Sequence, residues 1–199
     1  MIELIDPQPV GLPGLGVMAL AVPGFFLMLA LARRNMGGGE AGATRSGLSV
    51  LGIAIQTLGF LAVGIGPLRV ALATRSTPAI AEGAATLLLM AVTYVAFLSA
   101  SRAMGRNWSL VARTREDHEL VTSGPFSLVR HPIYSGLFFF LLAMALAFGH
   151  WRGLVLGVPL YWIGAWLRVI EEERLLRARF GAAYDAYARR VKRFVPGLL

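Results

Sequence analysis

The sequence predicts an all-α integral membrane protein with about five transmembrane helices. Of its 199 residues, 56% are hydrophobic and only 15% are charged, whereas soluble domains carry about 25% charged residues. The hydrophobic residues form long runs rather than an amphipathic repeat, which indicates that lipid surrounds them. These runs lack the alternation of barrel strands, and only helices or closed barrels satisfy the backbone within lipid.

Five apolar stretches are candidates for membrane spans. They cover residues 15–32, 48–68, 79–100, 133–148 and 154–170. A span requires about 20 residues, so the last two are expected to extend at their ends or to tilt. Residues 1–13 contain two acidic residues and no basic one. The first stretch is therefore expected to be a span rather than a signal peptide.

The basic residues predict that the N-terminus lies outside and the C-terminus lies in the cytoplasm. With five spans, this orientation leaves Arg69, Arg75 and Arg152 outside and the other 16 of the 19 Lys and Arg inside. Cytoplasmic loops carry such an excess in membrane proteins. The same rule accounts for the net charge of +8, so we expect no nucleic-acid partner.

Two segments are too polar to span. The first is the loop 101–130, and a loop of that length is usually functional or disordered. The second begins at Glu171, where an apolar stripe predicts a cytoplasmic amphipathic helix. The stripe comprises Leu176, Phe180, Tyr184, Tyr187 and Val191. Residues 1–104 thus hold helices 1–3, residues 105–199 hold the loop and the remaining helices, and we expect one structural domain overall.

A polar tract precedes the fourth span and could carry chemistry. It runs over residues 118–126 and 130–136 and includes an imidazole, His131, and a phenol, Tyr134. Pro132 suits the first turn of a helix, where its missing N–H costs least. The alternative is an ordinary juxtamembrane loop in which Arg130 snorkels, His131 caps the helix and Tyr134 anchors at the interface.

Arg168 and Glu172 are the second candidate cluster. Charged residues at membrane depth are costly and usually pair or line a polar cavity. The two residues are four apart, so they share one face of a helix. The alternative is a structural ion pair at the helix exit. With the polar tract, they predict a pocket between helices 4 and 5 that opens to the cytoplasm.

Several other chemistries are excluded by composition. The chain has no cysteine, which removes disulfides, thiolate metal sites and a cysteine nucleophile. Its three histidines are too few and too widely spaced for a zinc site, and no H-E-x-x-H motif occurs. We therefore expect no metal.

Two motif blocks resemble the isoprenylcysteine carboxyl methyltransferase family and, more distantly, the phospholipid N-methyltransferases. The first is Arg130-His131-Pro132-x-Tyr134-x-Gly136. The second begins at Arg168, continues through Glu172-Glu173 and the apolar stripe, and ends at Pro196. The resemblance covers about residues 105–196, the C-terminal half of the chain.

The resemblance implies S-adenosylmethionine as the methyl donor and S-adenosylhomocysteine as the product. Matched by position, the expected cofactor-binding residues are His118, Glu119, Leu120, Val121, Phe126, His131, Pro132, Ile133, Tyr134 and Glu172. Arg168 is expected to bind the substrate, and Arg168 and Glu172 are the expected catalytic residues. Phe126 stands where family members often have Tyr, so any hydroxyl contact at that position is lost.

The predicted function is methyl transfer to a lipophilic substrate at the cytoplasmic membrane face, with carboxylate O-methylation favoured. A carboxylate is ionised near neutral pH and needs no base, whereas an amine would need one, such as His131 or a glutamate. A phospholipid headgroup, another amine or a thiol is the alternative acceptor, and a non-catalytic transport or binding protein is the rival class. The short, Arg- and Ala-rich chain favours a prokaryotic inner membrane, where a prenylated protein is not the expected acceptor.

Overall fold

The computed structural model describes residues 7–34, 46–105 and 119–198. Five helices correspond to the five apolar stretches: α1 (Leu12–Arg34), α2 (Gly47–Gly64), α3 (Thr77–Met104), α4 (Pro132–Phe148) and α5 (Leu154–Phe180). A shorter helix, α6 (Ala182–Arg190), follows. Four of the five are long and apolar enough to cross a membrane, and α4 is an apolar helix of 17 residues. The predicted all-α integral membrane fold is confirmed.

Helix α4 lies at the centre of the bundle. On one side it packs with α1 and α3 around a cluster that includes Phe25, Phe97 and Phe140. On the other side it packs with α2 and α5 around a cluster that includes Leu141 and Tyr161. The N-terminal helices therefore contact both helices that carry the candidate site.

A minor strand pairing joins the loops at the far end of the bundle from the candidate site. Strand β1 (Pro9–Val10) pairs in parallel with β2 (Arg69–Val70). The carboxylate of Glu82 in α3 accepts from the backbone N–H of Gly11, with N–O distances of 3.2 Å. Glu82 thereby satisfies a backbone donor at the start of α1. The sequence did not predict this two-residue pairing.

Helix α2 ends at Gly64, four residues before the predicted boundary. Pro67 follows closely and cannot donate a helical hydrogen bond. The two ring nitrogens of His150 lie 2.8 Å from the carbonyl oxygen of Val63 and 3.0 Å from that of Pro67. These contacts hold the end of α2 against the turn between α4 and α5.

The C-terminal amphipathic helix begins later than predicted. Helix α5 continues without a break past Glu171 to Phe180, because no glycine or proline interrupts that stretch. Gly181 then has φ of 49°, a region that favours glycine, and the chain turns into α6. The predicted apolar stripe is therefore divided between two helices, with Tyr184 and Tyr187 buried on α6.

Candidate functional site

The Arg130-His131-Pro132 tract is fixed by the C-terminal tail. The backbone N–H of Arg130 donates to the carbonyl oxygen of Lys192 at 2.7 Å, and that of His131 donates to Arg193 at 2.9 Å. Pro132 is the first residue of α4, a position that suits its fixed φ and missing N–H. The tail thus aligns the two blocks of motif residues, which lie far apart in the sequence.

Glu173 is the centre of a buried ion-pair network. Its side chain is 2% exposed. Arg130 donates to it at 2.9 Å, and Arg193 donates to both of its oxygens at 2.8 and 2.9 Å. A buried carboxylate is tolerated only when it is paired in this way. The geometry gives Glu173 a structural role, holding α4, α5 and the tail together.

Glu172 differs from its neighbour because part of its carboxylate remains accessible. Its side chain is 27% exposed. The phenol of Tyr134 donates to one oxygen, and His131 Nδ1 lies 3.4 Å from the other. Since Glu173 is enclosed, Glu172 is the glutamate of this pair that could also reach a bound ligand.

His131 lies between the two glutamates. Its Nδ1 is 3.4 Å from Glu172, and its Nε2 is 3.4 Å from Glu173. Burial lowers the pKa of His131, but the hydrogen bonds and negative charges of both carboxylates outweigh burial and raise the pKa above its ordinary value of 6.5. The ring is also packed against Tyr134 and Phe194. It therefore holds its proton more tightly than a free imidazole.

We expect the free energy of unfolding to fall as pH rises through the raised pKa of His131. A group with a raised folded pKa contributes stability that is fully present below its unfolded pKa of about 6.5 and is lost at higher pH. Equilibrium unfolding in mixed micelles from about pH 6 to about pH 9 measures this loss. His131→Asn should flatten the curve, and parallel curves for the variant and wild type would contradict the assignment.

Arg168 is buried on α5, with 8% exposure. Its Nη1 donates to the side-chain oxygen of Gln56, in α2, at 3.0 Å. Its guanidinium carbon lies 4.8 Å from the centre of the Tyr134 ring, a cation–π distance. Tyr134 therefore contacts both Arg168 and Glu172, and the three residues form one polar cluster in which Glu172 is the partly exposed member.

The remaining predicted site residues occupy varied positions. Glu119 is exposed, while Leu120 and Val121 are half-buried. Phe126 is buried in a 3₁₀ turn, Gly124–Ser127, and its carbonyl oxygen accepts from Tyr187 at 2.6 Å. Half-buried Ile133 packs against the apolar cluster of α1, α3 and α4. His118 lies outside the described residues.

The structure also brings in residues to which sequence reasoning gave no role. Gln56 lies in α2. A polar amide in an otherwise apolar span is the feature of the sequence that could have indicated a functional role for it. Arg193 belonged to the second motif block, but only the fold shows that it pairs with Glu173. Tyr187, predicted only as part of the apolar stripe, donates to the carbonyl oxygen of Phe126, and the Phe194 ring packs against His131.

The site carries net positive charge. Three arginines (Arg130, Arg168 and Arg193) face two carboxylates (Glu172 and Glu173), which leaves one positive charge before His131 is counted. Nearby Arg174 and Arg177 pair with Glu171 and Asp185. Within residues 7–34, 46–105 and 119–198, no group of three His, Cys, Asp or Glu could hold a metal. The cluster thus offers a carboxylate for a cationic group and a guanidinium for an anionic one.

The fold and this cluster define an integral membrane protein with a polar site where α4 begins, beside α5. The chain belongs to the family described as Phospholipid methyltransferase, whose sequence profile matches residues 81–183, just over half of the 199 residues. The matched region begins after α2 and contains both candidate clusters.

Similarity to curated proteins confirms the resemblance to isoprenylcysteine methyltransferases. The chain is 31% identical over 87 residues to Protein-S-isoprenylcysteine O-methyltransferase of Schizosaccharomyces pombe, covering 44% of this chain and 37% of the relative. It is 31% identical over 94 residues to Protein-S-isoprenylcysteine O-methyltransferase B of Arabidopsis thaliana, covering 46% and 48%. The matches thus span half or less of the length of these relatives.

Proposed function

We propose that the protein transfers a methyl group from S-adenosylmethionine to a lipophilic acceptor at the cytoplasmic face of the membrane. The observation that carries the proposal is the side-by-side arrangement of Glu172 and Arg168 around Tyr134, at the start of α4. It offers opposite charges to two different ligands. The relatives are named O-methyltransferases, which supports methyl transfer as the reaction class.

The residues present fit a positively charged donor. Glu172 retains an accessible carboxylate edge, and charge-assisted hydrogen bonds are about twice as strong as neutral ones. His131 and Tyr134 hold that carboxylate in place. The half-buried Leu120 and Val121, which precede His131 by about ten residues in the sequence, offer apolar surface. When bound, S-adenosylmethionine supplies an electrophilic methyl group on a sulfonium.

We favour a carboxylate as the acceptor. Its oxygen forms the new O–C bond as the C–S bond breaks, S-adenosylhomocysteine leaves, and no proton moves. Arg168 can orient such a carboxylate, and holding the two reactants in line supplies much of the rate. An amine acceptor would need a base, and both ring nitrogens of His131 already lie 3.4 Å from carboxylate oxygens, those of Glu172 and Glu173.

A phospholipid headgroup amine is the second candidate acceptor, because the family description names phospholipids. Glu172, whose carboxylate is partly exposed, is then the candidate base. The two acceptors are distinguished by the stability of the product in alkali: a methyl ester releases methanol, whereas an N-methyl group is retained.

We propose that α6 lies in the cytoplasm of a prokaryotic cell. The chain has no cysteine, so Arg75→Cys and Arg190→Cys each introduce a single exposed thiol. A membrane-impermeant maleimide should label Arg75→Cys in intact cells and Arg190→Cys only after permeabilisation. The reverse pattern would contradict the orientation and would place the site outside.

Calorimetric titration of the purified protein with S-adenosylmethionine and S-adenosylhomocysteine tests the cofactor assignment. Glu172→Gln should weaken S-adenosylmethionine binding about tenfold or more, because hydrogen bonds to charged groups contribute roughly 1.5–3 kcal/mol. Glu171→Gln is the matched control, since Glu171 pairs with Arg174. Absence of binding by well-folded wild type would favour a non-catalytic protein instead.

A further inference from the structure

A groove of about 550 Å³ lies between α1 and α3, a volume typical of small-molecule sites. Its wall on α1 consists of small and apolar residues, among them Leu27 and Leu31, which are 62% and 49% exposed. Its wall on α3 includes Leu98 and Arg102. Because an apolar surface that is open along a membrane helix faces lipid, we expect a hydrocarbon chain to fill this groove.

The groove is separate from the candidate active site, because it lies on another face of α3. Thr93 donates to the carbonyl oxygen of Gly136 in α4 at 3.0 Å, and Phe97 packs in the cluster that α4 shares with α1 and α3. Residues four apart share one face of a helix, so Thr93 and Phe97 mark the face that contacts α4. Leu98 and Arg102 are also four apart and mark the face that lines the groove.

The groove runs from the middle of the two helices to their C-terminal ends. Its inner end lies at Gly24 and Tyr94, where the Tyr94 hydroxyl crosses to α1 and donates to the carbonyl oxygen of Ala21 at 2.7 Å. Its outer end lies at Gly105, directly after α3. At 1.5 Å per residue, the stretch from Tyr94 to Gly105 covers about 16 Å, which is about half of the hydrocarbon thickness of a bilayer. A lipid acyl chain occupies the same half of the membrane.

The outer end of the groove carries positive charge. Arg102 lines it, and Arg33 and Arg34 directly follow the groove-lining Ala32 at the end of α1. Residues 28–34 and 98–105 contain no acidic residue. The C-terminal ends of two helices contribute about half a negative charge each, so the three guanidinium groups still leave about two positive charges. Since the guanidinium fork matches the oxygens of a phosphate, this end of the groove suits a phosphodiester.

We propose that the groove between α1 and α3 is a binding site for an anionic phospholipid, with an acyl chain along the groove and the phosphate at Arg102. The site is distinct from the proposed acceptor site and does not depend on the proposed function. A zwitterionic phospholipid fits the apolar part equally well, so the preference for a net negative headgroup comes from the arginines. The alternative is that lipids contact this face without preference and that the arginines only set the topology.

The test titrates delipidated protein with dioleoylphosphatidylglycerol and with dioleoylphosphatidylcholine, and native mass spectrometry measures the affinity of the first bound lipid. Wild type should bind phosphatidylglycerol at least about fivefold more tightly. Arg102→Gln should lower that affinity about fivefold, the usual effect of one basic residue on an anionic lipid, and should leave phosphatidylcholine within about twofold. Arg190→Gln is the matched control, because Arg190 is an exposed arginine on α6 that does not line the groove. It should leave both affinities within about twofold.

A second pair of variants locates the bound chain. Ala32→Phe places a ring in the groove and should weaken binding of both lipids, whereas Ala30→Phe places it at an exposed position of α1 that does not line the groove and should weaken neither. Three results would overturn the inference: absence of a preference for phosphatidylglycerol in wild type, equal losses in Arg102→Gln and Arg190→Gln, and equal binding by the two phenylalanine variants. If Ala32→Phe does not fold, the comparison of the two glutamine variants decides.

Discussion

Glu173→Gln is expected to reduce the free energy of unfolding by about 3–5 kcal/mol, the usual effect of removing one partner from a buried ion pair. Glu173 is 2% exposed and is hydrogen-bonded by Arg130 and Arg193. The substitution keeps the shape of the side chain and removes its charge, leaving the two guanidinium groups without their shared carboxylate. Equilibrium unfolding in mixed micelles measures the change.

Asp185→Asn is the matched control for this prediction. Asp185 pairs with Arg177 at 3.0 Å, but both side chains are about half exposed, so the expected loss is at most about 1 kcal/mol. Similar losses for both variants would show that the Glu173 network contributes no more than a surface pair.

Arg168→Ala is expected to lower turnover of a carboxylate acceptor by roughly thirtyfold or more while leaving the affinity for S-adenosylmethionine nearly intact. The charge pair in question is the one that Arg168 would form with the bound carboxylate of the acceptor. Loss of one partner of a buried, hydrogen-bonded charge pair costs about 2–5 kcal/mol, which is roughly thirtyfold to several thousandfold in rate or affinity. Steady-state kinetics with labelled donor measure turnover, and calorimetry measures donor binding.

Arg168→Lys separates charge from geometry at this position. Lysine keeps the charge but lacks the planar fork that a carboxylate matches, so it should recover only part of the activity. If Arg168→Ala instead unfolds the protein and its folded fraction retains turnover, Arg168 is a structural residue of the α2–α5 contact.

The hydropathy of the sequence predicted the five membrane helices, because each apolar run must be helical in lipid. Their ends were less predictable, since they depend on contacts between distant segments. Helix α2 stops at Gly64, where His150 and Pro67 hold the following loop. The end of α5 depends on the backbone conformation of Gly181, and hydropathy does not report that conformation.

The residues of the candidate site were predictable where they belong to motifs, and their partners were not. Sequence spacing placed Arg168 and Glu172 on one helical face, and the structure brings Tyr134 to both. The two adjacent glutamates in the sequence do not indicate that Glu173 is buried while Glu172 is partly exposed. Gln56 could not be matched to Arg168, because that contact depends on how α2 and α5 pack.

Methyl transfer into lipid is the most direct test of the central claim. Membranes containing the protein would be incubated with methyl-labelled S-adenosylmethionine, and the lipid extract would be counted before and after alkali. We predict labelled lipid that loses its label as methanol, with little incorporation by Glu172→Gln or Arg168→Ala. If wild-type membranes bind the donor but yield no labelled lipid, the assignment of this protein as a lipid methyltransferase is contradicted.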